Sequence, residues 1–140
     1  MTVNEAKSKL EYFVDKRLRG IVERYSGDFD ELLDKRDDDV FSDEWEARFD
    51  KVETTKSETD HDEKFSDLLR KKSFKMVIEE SSSSDVAAYI SDDIGMIHDA
   101  LQAGLNDSWI NALWLEYKSG RIPSGALTEA EGTLLELIAN

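Results

Sequence analysis

The stretch YISDDIGMIHDAL places Asp92, Asp93, His98 and Asp99 close together, and carboxylates and imidazoles are the groups that bind metals or move protons. Ser91, just before the aspartates, predicts a helix start, where the unpaired N–H groups and the helix dipole stabilise carboxylates. His98 would then lie about 140° and 240° around the helix from Asp93 and Asp92. Asp99 is expected to point elsewhere. We therefore expect helix capping here, not a metal or acid–base site.

The second histidine lies in the stretch TDHDEKF, where Asp60, His61, Asp62 and Glu63 could hold a divalent ion. Neither the spacing of a calcium loop nor the zinc pattern H-E-x-x-H is present. Apolar residues are missing from the polar run that contains this stretch, which favours a flexible, solvated loop over residues 53–64.

The composition of the chain excludes several further kinds of catalytic and binding site. The chain has no cysteine, which excludes disulfides, thiolate catalysis and cysteine-based zinc sites. Its seven glycines are scattered and form no phosphate-binding loop, and no nucleophile elbow surrounds any serine. We predict a protein that is not an enzyme, with no catalytic residue, cofactor or metal.

Apolar residues recur at steps of three and four along most of the chain, which predicts helices. We expect an all-α protein with a single compact domain, 1–140, of roughly six to seven short helices. Residues 73–79 could instead form a minor strand, because Phe74, Met76 and Ile78 alternate. The predicted helix caps are Asn4, Asp28, Ser42, Ser84, Ser91, Asn106 or Asp107, and Thr128.

The acidic charge is concentrated in the middle of the chain. The net charge is −14, and residues 28–64 contribute −10 with 16 acidic and 6 basic residues. Such a surface repels nucleic acids and anionic membranes but attracts a basic protein. A solvated face is the plainer interpretation, and Trp45 could simply be a core residue. The docking interpretation assigns partner contacts to Asp30, Glu31, Asp34, Asp37, Asp38, Asp39, Asp43, Glu44, Trp45 and Glu46.

Residues 70–123 carry a series of short motifs: YISDD at 89–93, a G-x-x-D link at 104–107, W-x-x-x-L at 109–113 and Y-x-x-G-x-x-P at 117–123. This part of the chain resembles immunity proteins of bacterial contact-dependent growth inhibition and polymorphic toxin systems. The resemblance implies a cytoplasmic protein that binds a cognate toxin and covers its active site or substrate surface. It does not identify the residues that contact the toxin.

Charge and resemblance together predict an inhibitor of a basic nuclease toxin, with a tRNase as one candidate, because a nuclease needs positive charge to hold a polyanion. We expect a monomer until the toxin binds, with no direct contact to nucleic acid or membrane. The alternative is an acidic nucleic-acid mimic of the anti-restriction type, which would inhibit several unrelated DNA-binding enzymes.

Overall fold

The computed structural model describes residues 1–59 and 61–140, and within these ranges the protein forms eight helices, no strand and one compact domain. The helices are α1 (Val3–Lys16), α2 (Leu18–Glu23), α3 (Phe29–Asp37), α4 (Asp39–Ser57), α5 (Glu63–Ser81), α6 (Ser84–Ala103), α7 (Ser108–Lys118) and α8 (Leu134–Ala139). The predicted all-α class is confirmed. None of the described helices is long and apolar enough to cross a membrane.

Helix α6 forms the centre of the domain. Thirteen of its twenty residues are buried, so this helix is surrounded on nearly all sides. It contacts α1, α3, α4, α5, α7 and α8, and α5 packs along much of its length. A helix in such a position is expected to be apolar all round. Asp93, His98 and Asp99 are nevertheless among its buried residues, so each of them needs a polar partner.

Helix α6 is continuous where the sequence predicts two helices. The side chain of Ser83 accepts the hydrogen bond from the Val86 N–H and caps the helix, so Ser84 is not the cap. Ser91 Oγ donates to the Ala88 carbonyl inside the helix, so the predicted second start at Ser91 is wrong. In the sequence, a serine inside a helix looks the same as a serine that caps one. When its hydroxyl donates to a carbonyl of the preceding turn, the helix continues through it.

Other predicted boundaries also differ from the structure. The first predicted helix divides at Arg17 into α1 and α2. Residues 73–79 are helical, so the possible strand is wrong; the alternation that suggested it lies within an amphipathic helix. Residues 53–57 belong to α4, which shortens the predicted loop to residues 58–62, and Asp60 lies outside the described residues.

The predicted caps divide into two groups. Asp28 caps α3 and Asp107 caps α7, as expected. The caps of α1, α4 and α8 are Thr2, Asp38 and Thr133, which replace the predicted Asn4, Ser42 and Thr128. Each wrong cap lies within a few residues of the true one, in a stretch where several residues can accept an N–H hydrogen bond.

Gly95 allows α5 and α6 to approach closely. A Cβ at this position would lie 1.9 Å from Nε of Arg70, a side chain that reaches over the helix to Asp99. Gly20 in α2 is also helical, but there a Cβ would meet only the tip of the Arg24 side chain at 2.9 Å. The first glycine is required by packing, whereas the second is not.

We expect Gly95→Ala to lower the free energy of unfolding by about 1–3 kcal/mol, because the Arg70 side chain must move although alanine favours the helix. Gly20→Ala, the matched control, should leave stability unchanged or raise it by up to about 1 kcal/mol. Urea denaturation of both variants measures this. Equal effects of the two substitutions would contradict the packing role of Gly95.

Candidate functional site

Asp93 is the most connected carboxylate in the core, and its side chain has no exposed surface. Both oxygens accept from Arg36, Oδ2 from Nη1 at 2.7 Å and Oδ1 from Nη2 at 2.8 Å. Trp45 Nε1 donates to Oδ1 at 2.9 Å, and the Tyr117 hydroxyl donates to Oδ2 at 2.5 Å. The carboxylate is thereby fully hydrogen-bonded, and it joins α3, α4 and α7 to α6.

The Arg36 guanidinium lies between aromatic rings as well as on the carboxylate. Its central carbon lies 4.2 Å from the ring centre of Phe41 and 5.2 Å from that of Tyr89. Burial by itself lowers the pKa of Arg36, but the Asp93 carboxylate raises it above its usual value. Burial and the same carboxylate raise the pKa of Tyr117. The cluster therefore holds an arginine and a carboxylate away from water, with both carboxylate oxygens occupied by hydrogen bonds.

Asp99 forms a second buried cluster near the end of α6. Its Oδ1 accepts from Ser66 Oγ and contacts His61 Nε2, both at 2.8 Å. Its Oδ2 accepts from Lys56 Nζ at 3.1 Å and from Arg70 Nη2 at 3.2 Å. These contacts tie the end of α4, the α4–α5 connection and α5 to the central helix.

His98 also belongs to this cluster, since its Nδ1 lies 3.3 Å from Asp99 Oδ1. The prediction that these neighbours point apart is wrong, because the Nδ1 atom lies close enough to the backbone to reach the next side chain. Burial works to raise the pKa of Asp99, but hydrogen bonds from His98, Ser66 and His61, among others, lower it well below its usual range. The His61 side chain is 5% exposed, so it does not lie on a solvated loop as predicted.

His61, His98 and Asp99 bring three potential metal ligands within 4.8 Å of one another. Lys56 and Arg70 place two positive charges on the same carboxylate, and these oppose a divalent cation. The two imidazole nitrogens that are buried without a partner among the described residues are His61 Nδ1 and His98 Nε2, and neither is the nitrogen that contacts Asp99. The cluster is therefore an ionic contact between helices in its observed form.

A third carboxylate, Asp107, caps α7 and holds the middle of α4. Its Oδ1 accepts from the N–H groups of Trp109 and Ile110, and it contacts Arg48 Nε at 3.3 Å. Lys51 Nζ donates to Oδ2 at 2.9 Å. Burial tends to raise the pKa of Asp107, but Lys51 and these other donors lower it overall.

The three clusters separate the basic from the acidic residues of the segment 28–64. Of the six basic residues in 28–64, four form ion pairs with carboxylates of α6 or the α7 cap: Arg36, Arg48, Lys51 and Lys56. The carboxylates of α3 and of the first turns of α4 are left on the outside. Sequence reasoning did not find this arrangement, because each ion pair joins residues more than forty positions apart.

The residues predicted to contact a partner lie on α3 and the first half of α4. The structure brings them onto two consecutive helices, and eight of the nine carboxylates have exposed side chains. Glu44 pairs with Arg48 at 2.7 Å, whereas the other eight form no ion pair with a described residue. We name this set the acidic face: Asp30, Glu31, Asp34, Asp37, Asp38, Asp39, Asp43, Glu44, Trp45 and Glu46.

Trp45 has both a structural and a surface role. Its indole N–H is bonded to Asp93, and its ring stacks on Phe49 with the centroids 5.3 Å apart. It is only partly buried, and Phe49 and Val40 on the same helix are 37% and 54% exposed. Apolar groups beside a charged rim are the usual composition of a protein interface.

A cleft of about 340 Å³ opens at the acidic face. Its walls include the aromatic rings of Phe41, Trp45 and Tyr89, and its carboxylates are Asp37, Glu46 and Asp92. Asp92, expected at a helix start, is exposed at this opening in the middle of α6. Arg36 also lines the cleft and already lies over Phe41 and Tyr89, so Trp45, together with the carboxylates, is the aromatic surface left for a further basic side chain.

The domain is helical, its buried charges are paired, and its outer face is acidic and partly aromatic, a composition that occurs in protein-binding surfaces. A family model described as Immunity protein PIM1 matches residues 13–124, and the chain belongs to this family. The match includes the acidic face and residues of all three ionic clusters, and it supports toxin neutralisation as the function. No curated protein matches the chain.

We expect Asp93→Asn to lower the free energy of unfolding by about 3–5 kcal/mol, because Arg36 would remain buried without its counter-charge. The matched control is Asp92→Asn, which removes the neighbouring exposed carboxylate and should change stability by no more than about 0.5 kcal/mol. Chemical denaturation at neutral pH compares them. A loss below about 1 kcal/mol for Asp93→Asn would show that the cluster is not a main stabilising contact.

Asp99→Asn should cost about 3 kcal/mol at pH 7, because it removes the counter-charge of Lys56 and Arg70. The pKa of Asp99 is lowered on folding, so its stabilising effect is present above the ordinary value of 3.8 and is lost as the pH falls through and below it. The difference in unfolding free energy between wild type and variant should therefore shrink from pH 6 to pH 3. A constant difference across that range would be inconsistent with this linkage.

Proposed function

We propose that this protein neutralises a basic nuclease toxin by laying its acidic face over the toxin's substrate-binding surface, with tRNA as the first substrate class to test. A nuclease must present positive charge to hold a polyanion, and an acidic inhibitor can occupy the same surface. The membership in an immunity protein family supports a toxin as the partner. The nuclease chemistry of that toxin is inferred from charge alone.

The observation that carries this proposal is the direction of the charges in residues 28–64. Four of the six cations of this segment pair with Asp93, Asp99 or Asp107, and the carboxylates of the acidic face other than Glu44 have no ion-pair partner among the described residues. Unpaired like charges on one surface repel one another and lower stability. A bound basic partner would relieve this repulsion and also gain from steering at long range.

The cleft at the acidic face offers an anchor point for the toxin. The ring of Trp45 and the carboxylates Asp37 and Glu46 fit one lysine or arginine side chain of the partner. Trp45 is fixed at this opening by its bond to Asp93, so its ring loses little freedom on binding. Aromatic side chains are common among the few residues that contribute most of the binding energy at an interface, and Trp45 is an aromatic residue that is already held in position.

Neutralising three carboxylates of the acidic face tests the proposal. Asp34→Asn, Asp43→Asn and Glu46→Gln replace exposed groups that form no side-chain hydrogen bond with a described residue. We expect the combined variant to bind the toxin at least about tenfold more weakly at low salt, with most of the loss in the association rate. The partner to test is the product of the gene next to this chain's gene, and binding and tRNA cleavage are measured together.

The control variant removes the same charge elsewhere: Glu23→Gln, Asp67→Asn and Glu131→Gln, which are also exposed. It should inhibit the toxin as the wild type does. Equal weakening by the two triple variants would show that only net charge matters. A toxin without nuclease activity would refute the nuclease part, and inhibition of several unrelated DNA-binding enzymes would favour the nucleic-acid mimic.

A further inference from the structure

A second and larger cleft, of about 640 Å³, lies between α1, α2, α7 and α8. Its inner surface is aromatic: Phe13 and Trp114 pack edge to face with centroids 5.1 Å apart, and Tyr117 lies beside them. Tyr12 stands at the opening and is 58% exposed. The cleft shares no lining residue with the cleft at the acidic face.

The charge of this cleft is opposite to that of the protein. Its thirteen lining residues include four basic residues and no acidic one, although the chain contains 32 acidic residues and only 18 basic ones. Two of the four, Arg17 and Arg24, have exposed side chains with no described carboxylate within ion-pair distance. Positive charge without internal partners is therefore concentrated at one place in an acidic molecule.

The other two basic residues are held in position by backbone carbonyls. Lys9 Nζ donates to the carbonyl of Ala139 at 2.6 Å, and Lys118 Nζ donates to that of Leu137 at 3.0 Å. A carbonyl is neutral, so these hydrogen bonds provide no counter-charge to either ammonium group. They cap the end of α8 and at the same time fix two ammonium groups at the edge of the cleft.

We propose that this cleft binds an acidic segment of a partner protein, with an apolar or aromatic side chain of that segment lying between Tyr12 and Trp114. The cationic edge would hold the carboxylates, and the aromatic floor would bury the central side chain. A protein segment fits better than a nucleic acid, because the net charge of −14 repels a long polyanion before it reaches the cleft. This site lies outside the acidic face, and the inference does not require the toxin to be a nuclease.

A short labelled peptide in which acidic residues flank one central phenylalanine is a direct probe. Fluorescence polarisation at low salt should show binding to the full chain, and binding should be lost when the acids become amides. Replacing the central phenylalanine by serine should weaken it as well. In two-dimensional NMR spectra, the indole N–H signal of Trp114 should shift on titration, whereas that of Trp45 should not.

Two charge-reversal variants locate the site. Arg17→Glu with Arg24→Glu should weaken peptide binding at least about tenfold. Lys71→Glu with Lys75→Glu makes the same charge change at exposed positions of α5 outside the cleft, and it should have little effect. Circular dichroism melting of both proteins establishes that each is folded, so that a loss of binding reports on the cleft.

Several results would overturn the inference. One is equal weakening by the two pairs of reversals, and another is an unchanged affinity in Tyr12→Ala. A third is displacement of the peptide by inorganic phosphate or adenosine monophosphate at similar concentrations, which would make the cleft a general small-anion site. Tighter binding of single-stranded RNA than of the peptide would also contradict it. Failure of the acidic-face variants to affect toxin binding would bear only on the earlier proposal.

Discussion

Arg36 and Asp93 form an ion pair from which water is almost completely excluded, and the position of the acidic face depends on it. Removing two charges from water costs several kcal/mol each, which the attraction between them offsets only when all remaining hydrogen bonds are made. Trp45 and Tyr117 supply those bonds to the carboxylate, and the Pro123 carbonyl accepts one from the guanidinium. Because the four side chains come from α3, α4, α6 and α7, the pair specifies one arrangement of these helices.

The other two carboxylate clusters extend this principle along α4. Arg48 and Lys51 are held by Asp107, and Lys56 is held by Asp99, so the inner side of α4 is fixed at successive points to the core. Of the acidic face, only Glu44 pairs with one of these inner cations, Arg48, and the other carboxylates of that face have no ion-pair partner among the described residues. The same helix therefore has a cationic inner side that holds it in place and an anionic outer side that is available to a partner.

The all-helical class could be predicted, because the spacing of apolar residues reports directly on helical periodicity. The sequence also contained a signal for Asp93: it lies three residues after Ile90 and four before Ile97, on the apolar face of its helix. That signal predicts burial but not a partner, since Arg36 is 57 residues away and nothing local connects the two. Ser91 instead suggested that a helix begins just before Asp93. The sequence alone does not show whether the residues before a potential cap are already helical. The acidic face was recognisable from composition, whereas the inward direction of its cations required the fold.

The exposed carboxylates of α3 and early α4 that do not cap a helix, such as Asp34, Asp43 and Glu46, contribute little to folding, because they touch neither the core nor the ionic clusters. Substitutions at these positions are therefore hardly constrained by the architecture, and a partner that binds the acidic face as proposed would be their main constraint. Related proteins can therefore replace the exposed side chains of α3 and early α4 one residue at a time, while the buried ionic clusters keep the same arrangement of helices. Recognition can diverge in this way without any intermediate that fails to fold.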